Sequence, residues 1–174
     1  MFCFKDRIDR NKIYKKAKAI VGNKMNLPKE VIENYALYEM YPWLRWPKGS
    51  CSYAKNLNTY FDCTVLDLLP DGWSKSFKKP LCIDIQRAYW HMSKRQRKDF
   101  YIYKIKEKWG ELIIRCSIEN EEIINIQEKY RKLSHSVCQQ CGNPATKLSL
   151  GYIGYWCDEH APKYNKTLNG VRKD

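Results

Sequence analysis

The chain has no apolar run long enough to cross a membrane as a helix. Its first ten residues, Met1 to Arg10, alternate apolar and charged side chains where an export signal would need a sustained apolar core. A membrane protein or a secreted one is therefore not expected, and the expected compartment is the cytoplasm. Histidine is scarce, with His91, His135 and His160 the only three. A structural metal site that used one of them would leave little for a separate histidine-based catalytic centre. There is no Gly-rich phosphate loop, no nucleophile elbow and no His-Glu-x-x-His pair, so the commonest motifs of phosphoryl transfer, acyl transfer and zinc proteolysis are missing. Internal repeats, Gly/Ser linkers and low-complexity tracts are also missing, and 174 residues are too few for a long multidomain enzyme.

Acidic side chains are outnumbered, 19 Asp and Glu against 32 Lys and Arg, which leaves a formal charge of +13. Such an excess favours nucleic acid, anionic membranes or acidic protein surfaces as partners without choosing among them. Hydrophobic residues at 44% and aromatics at 14% are enough for a packed core, which argues against disorder along the whole chain. Eight cysteines would suggest disulfides in an exported protein. In a reducing compartment they point to metal ligation or to free thiols.

Along the chain, residues 7–18 (RIDRNKIYKKAK) read as an exposed basic helix or arm. Pro28 opens an expected helix ended by Pro42, and Trp43, Leu44 and Trp46 are expected core anchors. Residues 60–69 (YFDCTVLDLL) alternate like a strand, and Pro70-Asp71-Gly72 reads as the turn after it. A helix is expected from Pro80 to Lys98, with Lys94, Arg95, Arg97 and Lys98 gathered in its last turn, where cations suit the helix dipole. Residues 100–117 predict a β-hairpin turning at Trp109-Gly110, with Trp109 packed. Tyr101, Tyr103 and Ile105 are expected on one face, and Leu112, Ile114 and Cys116 on another. A last helix is expected over Glu119 to Leu133, acidic at its start and basic at its end.

The segment CQQCGNPATKLSLGYIGYWCDEH carries the chemistry. Cys138 and Cys141 are separated by two residues, and after fifteen intervening residues Cys157 and His160 repeat that spacing. Tetrahedral zinc takes four such donors, and pairs at this spacing grip one ion from a tight turn. Gly142 lets the chain turn beneath the metal, and KLSLGYIGYW can return it as a short hairpin. Four protein ligands close the coordination sphere, so the zinc is expected to be structural. His135 could substitute as a ligand but lacks the paired spacing. Cys3, Cys51, Cys63, Cys82 and Cys116 read as small buried hydrophobes.

This arrangement of knuckle, hairpin and helix start resembles a treble-clef zinc finger, a likeness that implies two ligands from each half of the site. Over roughly residues 60–160, the order DGW (71–73), PLCIDI (80–85), IKEKWGEL (105–112), CQQCG and WCDEH resembles a family of small uncharacterised bacteriophage proteins. The likeness brings no established activity, and it implies the host cytoplasm as the place of action.

The expected fold is α+β: a small body of helices and an antiparallel hairpin with a treble-clef-like zinc finger at its carboxy-terminal end. Residues 1–26 are expected to form the basic arm, 27–136 the body, 137–162 the zinc finger and 163–174 a tail. The expected function is that of a zinc-stabilised accessory protein. It would bind nucleic acid through Lys15, Lys16 and Lys18 and through Lys94, Arg95, Arg97 and Lys98. The main alternative is a protein that captures and inhibits a host protein, for instance one of a defence system. A zinc-stabilised nuclease of the His-Asn-His type is the weaker one.

Overall fold

The computed structural model describes residues 37–44 and 64–168, with Lys15 as one further position, helical and exposed. The chain divides into two compact units, Met1–Thr64 and Val65–Asp174. In the first, residues 37–40 are helical and a 3-10 turn, Pro42–Leu44, follows, so a helix does end at Pro42. Trp43 and Leu44 are fully buried, and the rings of Tyr41 and Trp43 lie 5.4 Å apart. The opening of that helix at Pro28, Trp46, and the basic arm apart from Lys15 lie outside the described residues, as do Cys3, Cys51 and Cys63.

The second unit is α+β. Its described part begins with Val65–Leu68, a 3-10 turn and not the strand that the alternation of residues 60–69 predicts. Adjacent Val65 and Leu66 are both buried while Asp67 and Leu68 face out, a pattern that two-residue alternation cannot give. An apolar run this short does not distinguish strand from helical turn.

Helix α1, Asp71–His91, starts nine residues before the expected position. Pro70 precedes it, so Asp71-Gly72 is its first turn and not a loop, and Pro80 lies in its interior. An interior proline removes a helical hydrogen bond at a cost of about 3 kcal/mol. Packing offsets this, because the residues on both sides of Pro80 enter one core: Trp73 and Phe77 before it, and Leu81, Ile85, Ala88 and Tyr89 after it.

The helix stops at His91, and Ser93 opens a separate short helix, α2, Lys94–Asp99. Its capping box is complete: Ser93 Oγ accepts from the Gln96 N–H while Gln96 Oε1 accepts from the Ser93 N–H. The basic cluster therefore fills a whole helix, Lys94 and Arg95 included, and not the last turn of a longer one. The dipole suits Arg97 and Lys98, which are in the last turn, and not Lys94 and Arg95.

Strands β1, Ile102–Lys108, and β2, Glu111–Cys116, form the expected antiparallel hairpin. A register shift between Ile102 and Lys104 turns Tyr103 out to solvent, so it does not share a face with buried Ile105. On β2, Leu112, Ile114 and Cys116 are all buried, as their alternation predicts. Helix α3, Glu121–Ser134, packs behind β2 and against α1. Asn120 caps it by accepting from the Ile123 N–H at 2.9 Å, with Glu121 and Glu122 in its first turn and Arg131 and Lys132 in its last.

Between the layers the rings of Trp73, Phe77 and Tyr130 follow one another at 5.9 and 5.7 Å. Tyr130 is fully buried, and its hydroxyl donates to Asp84 at 2.9 Å.

The last described elements form a three-stranded antiparallel sheet ordered β4-β3-β5: β3 is Lys147–Ser149, β4 Tyr155–Trp156 and β5 Asn165–Thr167. Part of the expected tail thus forms its outer strand. No described helix is long and apolar enough to cross a membrane.

Candidate metal centre and basic surfaces

Two turns supply the donors. In the first, the Gly142 N–H donates to Cys138 O at 3.0 Å, and Gly142 holds φ at +89°, where a side chain would be strained. In the second, the His160 N–H donates to Cys157 O at 3.2 Å. This second element remains a turn, Asp158 to His160, where a treble-clef unit would continue as a helix. Pro162 accounts for the stop. Strands β3 and β4 carry the chain between the turns, and the Gln139 N–H donates to Tyr155 O at 3.2 Å, tying the first turn to β4.

Cys138, Cys141, Cys157 and His160 thereby bring three sulfurs and one imidazole nitrogen within 4.8 Å of one another. Cys141 Sγ lies 3.7 Å from Cys157 Sγ, and His160 Nδ1 lies 3.9 Å from Cys138 Sγ and 3.1 Å from Cys157 Sγ. The fit to a metal follows from arithmetic. A tetrahedral ion with bonds of about 2.3 Å to sulfur needs donors about 3.7 Å apart. The three cysteines are free thiols. Burial pushes the Cys138 thiol up, but the backbone N–H groups of Cys157, Cys141 and Gln140 outweigh it and bring the thiol down to about 7. The Asn143 N–H draws the Cys141 thiol down, while burial and the neighbouring sulfurs leave it raised overall.

His135 is not part of this cluster. Its Nε2 pairs with Glu111 at 3.0 Å, and its ring stacks on Tyr155 at 4.7 Å. His91 pairs with Glu122. Cys82 and Cys116 are buried, and burial pushes both thiols up to about 12, the behaviour of packing residues and not of nucleophiles.

The cluster is clamped from two sides. At the start of α1, the Gly72 N–H donates to Gln139 O at 2.8 Å, Trp73 Nε1 to Val137 O at 3.3 Å and Ser76 Oγ to Gly142 O at 3.0 Å. A Cβ on Gly72 would stand 2.0 Å from Cys138 O, so only glycine allows this approach. Opposite, Glu111 joins Arg131 and His135, and Tyr152 donates to Glu107. A Cβ on Gly110 would meet the Tyr155 ring at 2.9 Å. The DGW and KWGEL patterns therefore mark where the helical body grips the metal unit. The sequence presents them only as a turn signal and a hairpin signal.

Of the proposed phosphate contacts, Lys94, Arg95 and Lys98 are exposed, and none of them is in an ion pair with a described residue. The Arg97 guanidinium lies 5.0 Å from the centre of the Trp90 ring, itself half exposed. Lys15 is exposed, while Lys16 and Lys18 lie outside the described residues.

A second cationic surface was not singled out from the sequence. Lys104, Lys106 and Lys108 project from the open face of β1, and Arg115 stands opposite Lys104 on β2. The Lys-x-Lys-x-Lys spacing was the available signal. Trp109, expected to be packed, is 66% exposed. Its place at the tip of a two-residue turn, beyond the last paired residues Lys108 and Glu111, leaves nothing for it to pack into.

Comparison of the chain with protein-family models, with curated proteins and with solved structures finds no match.

Proposed function

We propose that this chain is a nucleic-acid-binding accessory protein whose carboxy-terminal half is fastened by one structural zinc ion. Zinc is the metal that suits three thiolates and an imidazole at tetrahedral spacing, and four protein donors leave no position for a reacting water. What carries the binding reading is the unpaired charge of α2: Lys94, Arg95 and Lys98 stand free of ion pairs with described residues, with Arg97 held over Trp90. Lys94 and Arg95 stand at the end where the dipole opposes cations, and the four charges repel one another. Phosphates relieve that repulsion, and the counterions they release drive binding. The bacteriophage resemblance belongs to the same reading and would place the protein in a host cytoplasm.

The test is a salt titration. Binding of the zinc-loaded chain to DNA or RNA should weaken steeply as salt rises, with little sequence preference. Replacing Lys94, Arg95, Arg97 and Lys98 by Gln should lower both affinity and salt slope while leaving zinc content and melting temperature nearly unchanged. Failure to bind any nucleic acid at low salt would end this reading. The exposed aromatics Trp90, Trp109, Tyr152 and Tyr164 favour capture of a host protein as the second reading. A stoichiometric, salt-insensitive complex with one protein would identify it.

A further inference from the structure

We infer that the β1–β2 hairpin is a binding element for single-stranded nucleic acid, with Trp109 as its stacking platform and Lys104, Lys106, Lys108 and Arg115 as its phosphate contacts. This names the ligand class for the nucleic-acid reading above and rests on it.

Trp109 holds φ at +55°, the only described non-glycine residue with positive φ. A bulky side chain is strained there, and Asn or Gly would serve the turn better. The strain gains no burial, because the ring is 66% exposed. Lys108 Nζ lies over one face of the ring, 4.1 Å from its centre, a cation–π contact that a base stacking on that face would displace, freeing the ammonium for the phosphate beside it.

The adjoining face is mostly cationic, and its one acid, Glu111 opposite Lys108, is taken up by Arg131 and His135. Lys104, Lys106 and Lys108 alternate along β1, and Lys104 is paired across the strands with Arg115, an opposition of like charges that costs stability. None of these four is in an ion pair with a described residue. From Lys104 to Lys108, four steps of about 3.3 Å along β1, the row extends roughly 13 Å towards the tip.

The tip is also held in place. Glu107 accepts from the Gly110 N–H at 2.7 Å and from the Tyr152 hydroxyl, so one carboxylate fixes both the turn and a second aromatic that is 67% exposed. A braced tip with exposed rings beside a line of cations suits a backbone whose bases are free to stack. In a duplex they are already stacked on one another, and this selects the single strand.

The test uses fluorescence anisotropy of a labelled 20-nucleotide single strand of mixed sequence, and of the same sequence as a duplex, with the full zinc-loaded chain. The single strand should bind more tightly. Trp109→Ala should weaken single-strand binding about 5- to 150-fold with the salt slope unchanged, and Trp109→Phe should keep most of the affinity. Changing Lys104, Lys106 and Lys108 together to Gln should lower the salt slope by about 2. Melting temperature and zinc content serve as folding controls.

Unchanged binding by Trp109→Ala, with loss in the α2 quadruple variant, would overturn the hairpin inference and leave the general reading standing. Equal binding of duplex and single strand would overturn the single-strand assignment. No binding of either form by the parent chain would remove both and point to a protein partner for Trp109.

Discussion

Gly72→Ala sets two effects of opposite sign against each other. By helix propensity alone, alanine inside α1 should stabilise the chain by about 1 kcal/mol. The structure predicts the reverse, because the new methyl would lie 2.0 Å from Cys138 O, 2.6 Å from Gly142 N and 2.8 Å from Gln139 C, all of them backbone. None of these atoms can turn aside as a flexible side chain would. To reach ordinary contact the helix must withdraw from the metal unit by more than 1 Å, which weakens the bonds from Gly72 to Gln139, from Trp73 to Val137 and from Ser76 to Gly142. Three hydrogen bonds at about 1 kcal/mol each and overpacking of about 1–3 kcal/mol exceed the propensity gain. The net loss should be about 3–5 kcal/mol, a fall of roughly 6–20 °C in melting temperature for a chain of this size. Scanning calorimetry of parent and variant measures the fall, and competition with a zinc chelator should show faster metal release from the variant. A melting temperature equal to or above the parent's would refute the packing of α1 on the cysteine turn.

The remaining expectations are briefer. Elemental analysis should find about one zinc per chain, and Cys138→Ser or Cys157→Ser should lose it together with the folded carboxy-terminal sheet; background zinc in correctly folded protein would remove the metal centre. Trp109→Gly should leave stability unchanged or raise it by about 1 kcal/mol, since it relieves a positive φ and removes a ring that is 66% exposed; a loss of several kcal/mol in thermal melts would show that the indole is buried. Tyr130→Phe should cost about 1.5–3 kcal/mol in urea unfolding at pH 7, because it removes a hydrogen bond to a charged carboxylate. Burial works to raise the Asp84 pKa, but Lys129 and Tyr130 outweigh it and hold it below the usual value, so its contribution is complete near neutrality and fades as pH falls through the carboxylate range. A Tyr130→Phe penalty that did not shrink on acidification would contradict that coupling.

The parts of the fold legible in the sequence were those written locally. The hairpin over residues 102–116 and helix α3 announce themselves by alternation and by end charges, and the two cysteine-containing pairs by their spacing. What stayed hidden depends on distant partners. Gly72 looks like a turn glycine because its reason for being glycine lies 66 residues away, at Cys138 O. Pro80 looks like a helix start because the packing that carries α1 through it is tertiary. Trp109 looks like core because tryptophan usually is, and only the hairpin's geometry leaves it largely exposed. The basic cluster at Lys94–Asp99 looks like a helix end because cations suit a helix carboxy-terminus, whereas the Ser93–Gln96 capping box makes it a helix start.

Taken together, the contacts explain why a structural metal would matter to a binding surface built elsewhere. One side of the cysteine turn is gripped by the first turn of α1, whose far end leads through Ser93 into the cationic helix α2. The other side meets the hairpin tip through Glu107, Glu111, His135 and Tyr155. Both basic surfaces therefore hang from elements that abut the metal unit, although none of their cations is a ligand or a neighbour in sequence to one. Removing the ion should free the two turns, loosen the seat of α1 and release the tip that presents Trp109. Zinc removal and substitution of the cations should consequently differ in kind. Charge substitutions should lower affinity and salt slope with the fold intact. Chelation should abolish binding and cooperative melting together, and zinc added back should restore both. Nucleic-acid binding that survived complete zinc removal would separate the basic surfaces from the metal centre and leave the clamp a purely local device.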